Sequence, residues 1–117
     1  MDNSSITYLA CPYSHPNPAV RKARFKAANR AAAAMMKRGE YVFSPISHTH
    51  PMAVEGGLPT DWKFWKGYDT VMLKACGKLV VLKLDGWQVS AGVQQEIKLA
   101  KELGMRVEYV TAKQLEK

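Results

Sequence analysis

The sequence predicts a single α/β domain: a three-layer sandwich, Rossmann-like or flavodoxin-like, around a mostly parallel sheet of four to five strands. Short apolar runs alternate with longer helical stretches, the pattern of a parallel sheet covered on both faces. Two of the helical stretches end at glycines, Gly39 and Gly104, as helix C-termini commonly do. The length, 117 residues, suffices for one core but not for two, so residues 1–117 read as one domain.

Ile6 to Cys11 reads as a short strand stopped by Pro12, and Tyr13 to Pro18 as a Pro-punctuated loop. Ala19 to Arg38 is an Ala-rich helix, and Glu40 to Ser44 a second strand. Pro45 to Thr60, with Pro51, Gly56, Gly57 and Pro59, reads as a long loop, and a loop of that length in a small domain points to ligand binding. Asp61 to Cys76 is the second helix, with Thr60 or Asp61 as its cap. Lys78 to Leu84 is a third strand, Asp85 to Val89 a connection carrying Trp87, and Ser90 to Leu103 a third helix. Arg106 to Val110 is a fourth strand, and Thr111 to Lys117 a short helix or tail. In such a sheet, right-handed crossovers bring the loops after the strands to one edge, where ligands bind.

The composition, 47% hydrophobic and 23% charged, is that of an ordinary globular protein. The apolar runs are too short to span a bilayer. Met1 to Ser5 has no charged n-region before an apolar stretch, so a cytoplasmic protein with reduced Cys11 and Cys76 is expected. Both cysteines also suit plain core positions. The net charge is +7, and no acid occurs between Asn3 and Gly39. Such a segment attracts polyanions or steers a phosphorylated substrate. However, Lys22, Lys26, Arg30 and Lys37 share one outward face of the first helix. No aromatics interleave with them for stacking on single strands, which argues against a nucleic-acid partner. Arg24 falls on the inner side near the helix start, where it either reaches an anion or snorkels past the sheet edge.

Two carboxylates break the helical patterns. At about 100° per residue, Glu96 points the same way as Val93, Ala100 and Leu103. On the preceding helix Asp69 falls between Trp62, Trp65, Leu73 and Cys76, while Lys63, Lys66 and Lys74 take the other side. Paired, partly buried carboxylates split their pKa values and divide acid and nucleophile roles; structural ion pairs also hold such acids. Beside Glu96, the stretch Ser90-Ala-Gly-Val-Gln-Gln-Glu96 opens a helix with a capping Ser and a close Gly. That start suits an anion or a sugar hydroxyl.

Other chemistries find less support. There is no G-x-G-x-x-G after the first strand and no P-loop, which speaks against nicotinamide cofactors and nucleoside triphosphates. His48-Thr-His50 supplies two ligand types, with Cys11 a third, but no CxxC supports a closed site. No metal or other cofactor is expected. A Ser or Cys triad is equally unsupported.

These residues resemble the nucleoside 2-deoxyribosyltransferase superfamily over most of the chain, from Tyr8 to about Tyr109. Its members open with a Tyr-Leu-Ala-Gly-Pro strand and loop, here Tyr8-Leu-Ala-Cys-Pro12. An Asp on a middle helix and a later motif ending in Glu follow, matched by Asp69 and Glu96. Ser90, Gly92, Val93 and Glu96 fit the Ser-x-Gly-Val-x-x-Glu form of the 2′-deoxynucleoside 5′-monophosphate N-glycosidases. The pattern is closest to a small bacterial branch of the superfamily with no assigned activity.

The resemblance implies cleavage or transfer of an N-glycosidic bond of a nucleoside or nucleoside 5′-monophosphate. Glu96 is then the nucleophile at C1′, and Asp69 assists departure of the base. A retaining scheme of this kind expects carboxyls about 5 Å apart. Ser14, Ser90 and the backbone at Gly92 would hold the 5′-phosphate. Tyr13 would stack on the base, with Tyr8 under the sugar and His48 near the ligand. Cys11 replaces the loop Gly, and Ser14 stands where the glycosidases carry a phosphate-binding Arg, a role Arg21 or Arg24 would have to fill. Tyr8, Tyr13 and His48 also read as packing or loop residues. A homo-oligomer is implied as well, while the short apolar runs lead to no membrane partner being expected. The alternative is a non-catalytic nucleotide-binding or sensing module of the same fold.

Overall fold

The apolar runs become strands because both of their faces are covered. The computed structural model describes residues 5–116. The strands are β1 (Ile6–Ala10), β2 (Tyr41–Phe43), β3 (Lys78–Leu82) and β4 (Arg106–Val110). The helices are α1 (Pro18–Lys37), α2 (Pro45–Gly56), α3 (Trp62–Lys74), α4 (Ala91–Glu102) and α5 (Ala112–Leu115), with a 3-10 turn at Trp87–Val89. The sheet order is β2-β1-β3-β4, and every neighbouring pair is parallel. The architecture is the α/β sandwich that the alternation predicts, with four strands. No described helix is long and apolar enough to cross a membrane. The reading of residues 1–4 as no signal peptide, and Lys117, lie outside the described residues.

Period-two alternation sorts the sheet's side chains. Leu9, Cys11, Val80 and Leu82 join one buried cluster with Ala28, Ala31, Ala32 and Met35 of α1, Ile46 of α2 and Leu115 of α5. Tyr8, Ala10, Leu79 and Val81 join a second cluster with Leu73 of α3 and Val93, Ile97 and Ala100 of α4. The alanines explain the composition of α1: they bring its backbone close to the sheet, while Lys22, Lys26, Arg30 and Lys37 stay exposed. The start of α1 is set by Asn17, whose side chain accepts from the Ala19 N–H at 2.9 Å, and by Pro18 in the first turn.

The order places β2 and β3 on opposite sides of β1. Connections after β1 and β3 therefore diverge, and a crevice opens between the strands' C-terminal ends.

Two expectations need correction. The segment from Pro45 to Thr60 is not one long loop, because α2 occupies Pro45–Gly56. Pro45 sits in the first turn, where a missing N–H is harmless. Pro51 lies inside the helix and removes one bond. Burial of Ile46, Thr49 and Ala53, and a 2.8 Å bond from Thr49 Oγ1 to the Pro45 carbonyl, hold the helix regardless. Gly57 ends it at φ 66°, the left-handed region that favours glycine. Secondly, Leu103 does not share the inward face of Glu96. It is the C-cap of α4 and is exposed.

Ala28 is fully buried between α1 and the sheet. Ala28→Leu is expected to lower stability by about 1–3 kcal/mol through overpacking, measured by urea denaturation.

Candidate active site

The crevice at the strand ends is a cavity of about 330 Å³, at the small end of the range for small-molecule sites. Its floor is Leu9, Ala10 and Cys11 at the end of β1. Tyr13 and Ser14 follow from the next loop, and Pro45, Ile46 and Thr49 come from α2. Thr60, Asp61, Trp62, Trp65 and Asp69 come from the start and inner face of α3. Ser90, Gly92, Val93 and Glu96 come from the start of α4. The N-termini of α2, α3 and α4 thus all open on one space.

Glu96 is 7% exposed. Its position on the α4 stripe between Val93 and Ala100 forces it inward, against the buried face of the sheet. There the Tyr8 hydroxyl donates to Glu96 Oε2. Tyr8 is itself fully buried in β1, so the strand holds a donor under the carboxylate. Burial pushes the Glu96 carboxyl up to about 8; the nearby charge of Asp69 adds to this, and the Tyr8 bond opposes it. Burial also raises Asp69, to about 7. Asp69 Oδ1 is buried with no hydrogen-bond partner among the described residues. A buried unpaired carboxylate oxygen is costly, and here it faces a cavity able to hold a donor. Because the two acids interact, their protons come off as those of a pair. Tyr8 is raised by its own burial and by both carboxylates, so it remains a donor.

The start of α4 is capped locally: Ser90 Oγ accepts from the Val93 N–H at 3.3 Å. Gly92 also has a packing role. A side chain there would meet the Trp62 ring at 3.1 Å, so glycine lets α3 and α4 close together beside the acids. Cys11 lies in the wall, with its thiol pushed up to about 12 by burial; it is no nucleophile.

Of the residues singled out in the sequence, Glu96, Asp69, Cys11, Tyr13, Ser14, Ser90 and Gly92 line the cavity. Tyr8 lies beneath it, acting through Glu96. Pro12 is buried at the strand end but does not line it. Arg24 does not line the cavity, though its charge reaches Cys11 in the wall; it donates to the Ser14 carbonyl at 3.0 Å and to the Asp85 carbonyl at 3.2 Å. It ties two rim loops together. His48 is exposed on α2, with its ring near Phe43 and Tyr68. Two positions along the helix, about 200° away, His50 faces Phe25 and shares a 2.7 Å hydrogen bond with Tyr13. The two histidines therefore diverge and do not form a chelating pair. Sequence reasoning missed Asp61, Trp62 and Trp65 as wall residues, although the cluster at the start of α3 was visible. It also missed Ile46 and Thr49, because the helix that carries them read as a loop.

A neutral Glu96 favours the fold. The folded chain holds its proton up to about pH 8, whereas a free carboxyl loses it near 4.5. Folding takes up a proton across that window, so this stability is complete at the lower pH and is lost as pH rises through the upper value. Glu96→Gln stays neutral throughout. Its melting temperature, compared with the unaltered chain, is expected to gain about 5 °C or more between pH 5 and pH 9, the response of a small domain to about 1 kcal/mol; calorimetry at the two pH values checks it.

A comparison with curated proteins gives no match. The profile of the family described as "Domain of unknown function (DUF1937)" matches residues 5–112. The chain belongs to that family.

Proposed function

We propose that the chain is a nucleoside 2-deoxyribosyltransferase-like enzyme that cleaves or exchanges the N-glycosidic bond of a nucleoside or nucleoside 5′-monophosphate. The observation that carries the reading is that Glu96 and Asp69, from two helices, open on one cavity, each with a raised pKa. Two such acids suit a two-step displacement at an acetal carbon.

In the first step a Glu96 oxygen attacks C1′ and forms an ester. The bond from C1′ to the base nitrogen breaks, and its electron pair leaves with the base. Glu96 attacks from the form of the pair in which Asp69 holds the shared proton, and Asp69 passes that proton to the departing base. In the second step water attacks C1′, the ester bond breaks, and Asp69 takes the water's proton. A second base in place of water gives transfer. Tyr8 supports the step in which Glu96 carries charge, because its hydroxyl already donates to that carboxylate. Trp62 and Trp65 supply apolar ring surface in the wall for a flat base.

One observation favours a second reading, a non-catalytic nucleotide-binding module. Burial holds Glu96 neutral at pH 7 in the unliganded cavity, and binding alone needs no nucleophile. Chromatography of free base released from a panel of ribo- and deoxyribonucleosides and their 5′-monophosphates separates the two. The expected outcome is release by the unaltered chain and a loss of at least about a thousandfold in Glu96→Ala. Binding unchanged in Glu96→Gln, with no release by any chain, selects the module.

The enzyme reading also sets a pH profile. Catalysis needs one member of the pair charged and the other protonated. kcat/KM is therefore expected to fall below about pH 7, where both are neutral, and above about pH 8, where both are charged.

A further inference from the structure

The cavity's charge carries an inference that rests on the glycosidic reading and narrows its substrate. Among the described residues, no Lys, Arg or His lines it, while Asp61, Asp69 and Glu96 do. This contrasts with a chain whose net charge is +7. Two arginines of α1 act on the wall from outside it, Arg24 on Cys11 and Arg21 on Tyr13, and both are held at the rim by backbone carbonyls. Arg24 donates to the Ser14 and Asp85 carbonyls, and Arg21 donates to the His15 carbonyl. The Ser14 hydroxyl donates to the Thr60 carbonyl at 2.7 Å, which closes the rim rather than serving a ligand.

Asp61 is the decisive residue. It stands at the N-cap of α3 but makes no capping bond with its side chain. It forms no ion pair among the described residues. Instead it lines the cavity mouth. A carboxylate so placed accepts hydrogen bonds from hydroxyl donors and repels an anion. The helix starts that open on the cavity favour negative charge by about half a unit each. Asp61 already sits on one of them, and Ser90 Oγ takes the Val93 N–H of another.

We propose that the cavity selects an uncharged, unphosphorylated nucleoside over its 5′-monophosphate, and that Asp61 sets this choice by accepting from a sugar hydroxyl and repelling a phosphate. A phosphate dianion bound here would sit beside Asp61 and near the Glu96–Asp69 pair, with no cationic side chain among the described lining residues.

The test pairs each nucleoside with its own 5′-monophosphate and reads kcat/KM by base release. Dissociation constants are read by calorimetry in parallel. The unaltered chain is expected to prefer the nucleoside by roughly tenfold or more in both measurements. Asp61→Lys is expected to shift the ratio toward the monophosphate by roughly tenfold or more, and Asp61→Asn by less. Circular dichroism and melting curves confirm that both variants fold. A preference for the monophosphate in the unaltered chain overturns the proposal, as does a ratio that moves less than about twofold in folded Asp61→Lys. If no base is released but the nucleoside binds more tightly than the monophosphate, the glycosidic reading fails and the charge selection stands. If neither compound binds, both fail.

Discussion

A carboxyl group buried against the centre of a β-sheet is the constraint around which this molecule is arranged. Glu96 occupies a core position of α4, next to Val93 and Ala100, where an apolar side chain would pack without penalty. Among the described residues the hydroxyl of Tyr8, itself sealed in β1, donates to it. Burial of this pair raises both of their pKa values. A shift of α4 by one turn, about 5.4 Å, would take Glu96 out of reach of the Tyr8 hydroxyl. The register of α4 over the sheet, set by Ser90 at its cap and by Gly92 against Trp62, therefore decides whether the acid is tolerated.

Asp69 completes the electrostatics. It lies on a separate helix and keeps one buried oxygen without a partner among the described residues. Such a group weakens a fold, and its natural explanation is a ligand donor that the fold alone does not supply. The parallel sheet provides the space. With β2 and β3 flanking β1, the crossovers part at the strand ends, and the helix starts gather there. The crevice follows from topology and the acids from side-chain choice; chemistry arises where the two coincide.

The rim shows the same economy. Arg24 donates to the carbonyls of Ser14 and Asp85, and the Ser14 hydroxyl donates to the Thr60 carbonyl. They brace the loops and leave the interior to carboxylates and rings. A chain rich in surface lysine and arginine thus surrounds an acidic pocket. The outer charge has a long-range effect on approaching anions. The inner charge acts at contact distance.

Much was legible in the residues alone. Strand and helix periods are local properties, repeating over two or over three to four positions, so the alternation and the burial of both sheet faces could be read directly. The same arithmetic turned Asp69 and Glu96 inward. It failed at α2, where prolines and glycines imitate a loop; there the burial of Ile46, Thr49 and Ala53 outweighs the loss of a hydrogen bond at Pro51. Which sides of α2 His48 and His50 take could not be read while the helix itself was not recognised. The bond from Tyr8 to Glu96 joins residues 88 positions apart. That pairing, the tethering of Arg24 to two rim carbonyls and the acidic lining of the cavity were decided only by the tertiary structure. Sequence period determines which way a side chain points, but only the order of the strands determines what it meets.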